Sequence, residues 1–325
     1  MENSENGKRW VCNAGINAVS ILPDGSMNVC WDRKPENLGN IYEGGFKLRN
    51  QLINCDLVHC ACPLWAFEKD LHAIAKGEPA TRPVPYDVFA HWHITYECQM
   101  MCEYCIVTGP DRATDTKDKK TRSKPVPIDS MLKVVDESGL KFCFSLMGGE
   151  PFLVPNVIEV CERLAERGHM IGANTNLCAV PHEFWKSVPH EQISNIHISL
   201  HIHPMQRKGI TQQFIDGYKA MVDSGFDRFY ITAVAHPSLF ERLDEYRELF
   251  GKHGINFKLI PMLEGGGASK GKVYPESYTQ EELQHIEGDW LEDYFPQKNA
   301  KKEKVDISKF RPRSSKSDRN TLLDE

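Results

Sequence analysis

At 325 residues the chain is long enough for one large α/β domain or two to three smaller ones. Hydrophobic residues at 41% supply a sizeable core, while a mean hydropathy of -0.45 speaks against a membrane protein. Against 45 Asp and Glu stand 39 Lys and Arg, a formal charge of -6, so no basic field advertises nucleic acid. The opening MENSENGKRW has no apolar run of the secretory kind, and no later stretch reaches the ~18 apolar residues of a membrane helix. A cytoplasmic chain is expected. Its 11 cysteines then need a reason, because a reducing compartment does not keep structural disulfides and grouped thiolates there hold metal or do chemistry.

Five of the cysteines come early: Cys12, Cys30, Cys55, Cys60 and Cys62. AVSILPDGSMNVC reads as two short strands around a Pro-Asp-Gly turn, a hairpin expected to bring Cys12 and Cys30 together. Cys55-Asp-Leu-Val-His-Cys60-Ala-Cys62 follows, so five thiols compete for one four-ligand site, either structural zinc or an iron–sulfur cluster.

YDVFAHWHITYE is next, an apolar, aromatic-rich strand. It runs straight into Cys98-Gln-Met-Met-Cys102-Glu-Tyr-Cys105. Zinc sites usually take paired cysteines and four ligands, which here would mean a distant partner such as His91 or His93. Three thiolates on one short loop suit a cubane cluster with one iron left without a protein ligand. The segment TGPDRATDTKDKKTRSKPVP is charged and poor in apolar residues, a surface connection or a lid.

Strands and helices then alternate. PIDSMLKVVDESG is a helix, and LKFCFSLM a strand ending in Gly148-Gly149-Glu150-Pro151. Two glycines at a strand end let backbone approach a ligand closely, and the Glu150 carboxylate is suited to a ligand ammonium. PNVIEVCERLAERG is a helix, HMIGANTN a strand, PHEFWKSV a short helix and NIHISLHI a strand. Period two along that last strand points His197, His201 and His203 to one face. FIDGYKAMVDSG, RFYITAVAH, LDEYRELFGKHG and INFKLIPML continue as helix, strand, helix, strand. Cys143 and Cys161 read as core residues, and Cys178 has no assignment. GGGASKGKV is a glycine-rich loop before a helix starting near Thr279, and the polar stretch from Pro296 onward is expected to be a disordered tail. The fold expected is α/β, a partial (β/α)6 TIM-like barrel with its chemistry at the carboxyl ends of the strands. Before it lies a small N-terminal cysteine-rich β-hairpin module.

The triplet, with Tyr104 before its last cysteine, followed by the Gly-Gly-Glu-Pro turn, resembles the radical S-adenosylmethionine enzymes over about residues 86–263. The resemblance implies a four-iron–four-sulfur cluster on Cys98, Cys102 and Cys105, and S-adenosylmethionine bound beside Gly148, Gly149, Glu150 and Tyr104. It also implies a role for Ser199 in holding that cofactor. Thr175-Asn176-Leu177 matches a Thr-Asn-Gly turn of the family, with Leu in place of Gly. The early cysteines, the Pro-Asp-Gly turn and LGNI resemble the SPASM or twitch module, here placed first in the chain. One auxiliary four-iron–four-sulfur cluster is implied on Cys12, Cys30, Cys60 and Cys62, with Cys55 contending. The domains expected are 1–80 for that module, 86–263 for the barrel, 264–295 for a loop and helix, and 296–325 for the tail. A flavodoxin- or ferredoxin-type donor would supply the electron, and the substrate would be a small molecule, a peptide or a protein. The alternative is a non-catalytic zinc-binding interaction protein whose basic tail reaches nucleic acid.

Overall fold

The structure, a computed structural model, describes residues 10–12, 14–30, 36–50, 53–55, 85–105, 107, 122–262, 274 and 277–286. Cys60, Cys62, residues 108–121 of the segment read as a surface connection or a lid, the glycine-rich loop and the tail lie outside the described residues. The chain divides into two units, 1–91 with 127–143 and 292–325, and 92–126 with 144–291.

The first unit is built on short antiparallel strands. β1 (Trp10–Cys12) pairs with β6 (Ile53–Cys55), while β2 (Ala18–Ile21), β3 (Ser26–Asn28), β4 (Asn37–Asn40) and β5 (Gly45–Phe46) form a meander. The expected hairpin is β2–β3. Asp24 Oδ1 accepts from Ser26 N at 3.0 Å, and Gly25 takes φ 83 where a Cβ would come within 2.5 Å of Asn40 Oδ1. A tight turn, with Gly15 N donating to Ala18 O at 2.7 Å, precedes β2. The strand bearing Cys12 lies beside the strand bearing Cys55, in the register Cys12↔Ile53 and Trp10↔Cys55. α1 (Ile128–Ser138) also belongs here; it buries Ile128, Met131, Leu132 and Val135 and ends on left-handed Gly139. β7 (Val88–Thr95) and β8 (Phe142–Gly148) each pass from the first unit into the second.

The second unit carries the expected alternation. β9 (Met170–Thr175), β10 (Ile193–Ser199), β11 (Phe229–Val234) and β12 (Lys258–Ile260) pair in parallel, in the order β12-β11-β10-β9-β8-β7. Between them run α2 (Val157–Ala165), α3 (Phe184–Ser187), α4 (Ile202–Lys208), α5 (Thr211–Asp223) and α6 (Leu243–Gly251). Ile171, Ala173, Ile196, Ile198, Ile231 and Ala233 supply buried apolar side chains along these strands. This mostly parallel α/β sheet is consistent with an open partial barrel and sets the strands' carboxyl ends in one row. α7 (Gln280–Gln284) starts at Thr279 through a capping box with Glu282.

One expectation fails on register. β10 stops at Ser199, so His201 caps α4 and His203 lies within it, and the three histidines do not share a strand face. Pro204 sits in the first turn of α4, where its missing N–H costs nothing, and the strand pattern gives way to helix there. Among the described residues no helix is long and apolar enough to cross a membrane.

Candidate active site

The cysteine triplet begins three residues beyond the end of β7. Cys102 is buried, and Cys98 and Cys105 are half-buried. Met100 N donates to Cys98 Sγ at 3.4 Å, a bond that favours sulfur carrying negative charge. Met100 is buried and anchors the loop, while Met101 is forced to φ 52, a left-handed conformation costly for a residue with a Cβ. Tyr104 is also buried, and its hydroxyl lies 3.2 Å from His201 Nδ1. Burial first, and the neighbouring Cys102 second, push the Tyr104 phenol well above its ordinary range, so it stays protonated.

The Gly-Gly-Glu turn packs against this loop. A Cβ on Gly148, at φ 115, would fall on the carbonyl oxygen of Thr95, and one on Gly149 would fall on that of Glu97. The glycines therefore bring the end of β8 against protein backbone. Gly149 N donates to Thr95 O and Glu150 N to Glu97 O, both at 2.7 Å. Glu150 itself is 0% exposed. Its Oε1 accepts from Thr175 Oγ1 at 2.8 Å and Phe152 N at 3.3 Å, and its Oε2 accepts from Asn176 N at 2.8 Å. The carboxylate is spent on the turn after β9. Burial raises its pKa to about 7, against the pull of those three donors.

That second turn closes back on the cysteine loop. Gln99 Nε2 donates to Asn176 Oδ1 at 2.9 Å, and Asn176 Nδ2 donates to Gln99 Oε1 at 3.3 Å. Asn176 Oδ1 also accepts from Cys178 N at 3.1 Å. Leu177, where the resembled family has glycine, adopts φ 64 and so keeps the glycine conformation with a buried side chain. A Cβ on Gly217 of α5 would meet Leu177 O at 2.6 Å and Leu177 Cγ at 3.2 Å, so a glycine in the helix makes room for the leucine in the turn. Cys178 lies close by. Burial, then Glu150 and Cys98, push its thiol up to about 12, which keeps it neutral.

Ser199 ends β10 half-buried, opposite Thr232 of β11. His197 leaves the group. It stacks on Tyr230 with centroids 4.5 Å apart and bonds Thr232 Oγ1 through Nε2 at 2.7 Å, and burial lowers its pKa to about 4. His201, and also His236 beyond β11, approach the Tyr104 ring at 5.9 and 5.7 Å between centroids. Cys143 and Cys161 are core residues, as expected. Sequence reasoning passed over Gln99, His236 and Ser238. Only the place of Gln99 between two cysteines was a signal.

Among the described residues no three His, Cys, Asp or Glu side chains close around a single metal ion. Three cysteines on one loop, one of them accepting a backbone N–H at sulfur, are donors of the kind that suits a multi-iron cluster. Residues 92–250 match the family model described as the Radical SAM superfamily. No curated protein matches the sequence. Among solved structures, TYW1 with a lysine-pyruvate adduct bound is 13% identical with a TM-score of 0.38, covering 59% of this chain and 68% of that one. Streptococcus suis SuiB bound to S-adenosylmethionine is 18% identical with a TM-score of 0.40, covering 63% and 47%. The same protein bound to the precursor peptide SuiA is 17% identical with a TM-score of 0.40, covering 72% and 51%. The chain spans about half the length of these SuiB structures.

Proposed function

We propose that the chain is a radical S-adenosylmethionine enzyme in which Cys98, Cys102 and Cys105 hold a four-iron–four-sulfur cluster. The chemistry supplied with cluster and S-adenosylmethionine bound is one-electron cleavage of the sulfonium to methionine and a 5′-deoxyadenosyl radical, which takes hydrogen from a substrate carbon. The observation that carries this reading is the cysteine loop itself, held from two sides by the turns after β8 and β9. The protein's share is to fix the loop and exclude water from it.

Gly148 and Gly149 dock the first turn on β7, and Glu150 acts by positioning Thr175 and Asn176. Tyr104 and Ser199 border the cofactor. A flavodoxin- or ferredoxin-type protein supplies the electron, and the substrate is a small molecule, a peptide or a protein. Residues 1–80 form a SPASM- or twitch-like module with one auxiliary four-iron–four-sulfur cluster on Cys12, Cys30, Cys60 and Cys62, or with Cys55 in one place; residues 86–263 form the barrel.

Anaerobic reconstitution with iron and sulfide tests the reading. One cluster brings about four iron per chain and two bring about eight. Dithionite and S-adenosylmethionine should then yield 5′-deoxyadenosine from the wild type and none from Cys102→Ala. Equal product from both would end the proposal.

A further inference from the structure

We infer that His203, Ser238 and His236 form a proton relay with fixed tautomers beside the cysteine loop, handing a proton to the substrate of the proposed radical reaction. Three bonds define it. His236 Nδ1 accepts from Ser238 N at 3.3 Å, capping the 3-10 turn Pro237–Arg242. His236 Nδ1 also lies 2.7 Å from Ser238 Oγ, and Ser238 Oγ lies 3.0 Å from His203 Nδ1. A backbone N–H only donates, so His236 Nδ1 carries no proton and the neutral ring holds its proton on Nε2. The Ser238 hydroxyl must then donate to His236 Nδ1. Its oxygen in turn accepts from His203, which fixes the His203 proton on Nδ1 and leaves His203 Nε2 as a base.

His236 has its ring 5.7 Å from that of Tyr104 in the cysteine loop. His203 packs edge-on against the buried Tyr246 at 5.8 Å. Both imidazoles are held neutral near pH 7, His203 by burial and then by His236, Arg207 and Arg242 against Glu103, and His236 by burial against Glu103.

A proton arriving at His203 Nε2 releases the Nδ1 proton to Ser238 Oγ. The hydroxyl proton passes to His236 Nδ1, and the Nε2 proton of His236 leaves for the substrate. One proton enters and one leaves, and no redox partner is needed. Afterwards His236 Nδ1–H faces the Ser238 N–H, an opposition that drives the relay back to its starting tautomers. The substrate must therefore present an oxygen or nitrogen lone pair to His236 Nε2–H. The relay rests on the radical reading only for its role beside the loop.

The test is two-bond proton–nitrogen correlation spectroscopy on the reconstituted enzyme labelled with 15N-histidine, with His203→Gln and His236→Gln to assign the rings. The wild type should show His236 protonated on Nε2 and His203 on Nδ1. Ser238→Ala should move His203 alone away from the Nδ1–H form, because the backbone N–H still fixes His236, and it should slow exchange of the His236 Nε2 proton with water several-fold. Ser238→Thr should restore both. A wild-type His203 protonated on Nε2, or a His203 pattern that survives Ser238→Ala, overturns the relay. The tautomers are read whether or not 5′-deoxyadenosine forms, so the relay and the radical reading fail separately.

Discussion

Replacing Glu150 by Gln isolates the energetics of a fully buried carboxyl. Its pKa rises from an ordinary 4.5 to about 7, chiefly through desolvation. The unfolded chain therefore ionises at lower pH than the folded one. Between pH 4.5 and 7 the folded state binds more protons, so stability is complete below 4.5 and falls as pH rises through 7. At 1.36 kcal/mol per tenfold change, that interval is worth about 3 kcal/mol. Gln has no such titration, and like the protonated acid it sets a donor against one of the three donors from Phe152, Thr175 and Asn176. Urea midpoints of wild type and Glu150→Gln, taken from pH 5 to pH 8, should show the wild type losing about 2–3 kcal/mol relative to the variant. A gap that stays constant, or a wild type that gains as pH rises, would refute the reasoning. The three donors would then outweigh desolvation and hold the carboxylate ionised throughout.

Leu177→Gly should destabilise although it restores the family's residue at a positive φ. Emptying the leucine's buried site costs roughly 2–5 kcal/mol and relief of the left-handed backbone returns about 1–2, so the melting temperature should fall; a rise would show that strain dominates. The reciprocal amide pair predicts a positive coupling of about 1–2 kcal/mol between Gln99→Leu and Asn176→Leu in a double-mutant cycle, and simple additivity would mean that the pair contributes nothing.

Much of the second unit was legible because its elements obey simple periods. Each of the strands β7 to β12 falls inside an apolar run, and the helices between them follow 3.6-residue spacing and stop at Gly139, Gly168, Gly225 or Gly254. What escaped was non-local. The run NIHISLHI keeps a strand-like alternation across a boundary that is set by Leu200 N bonding Thr232 O and by the helical turn around Pro204. Likewise the sequence shows two glycines after β8, but not that the backbone of Thr95 and Glu97 lies against them. The pairing of the strand bearing Cys12 with the strand bearing Cys55 also leaves no local trace in the sequence.

The bonds around the cysteine loop form a ring of three segments. The loop meets the β8 turn through Glu150 N and Glu97 O, the β8 turn meets the β9 turn through the Glu150 carboxylate, and the β9 turn meets the loop through Asn176 and Gln99. Each bond is worth only about 0.5–1.5 kcal/mol net. Closure matters more than the sum, because each segment is fixed by two others and one lost bond leaves a route around the break. Two residues with side chains, Met101 and Leu177, are held left-handed on this ring at about 1–3 kcal/mol each. Isolated turns would relax out of those conformations. Their persistence on the two segments joined by Gln99 and Asn176 shows how firmly backbone and amide groups hold the loop against the turn.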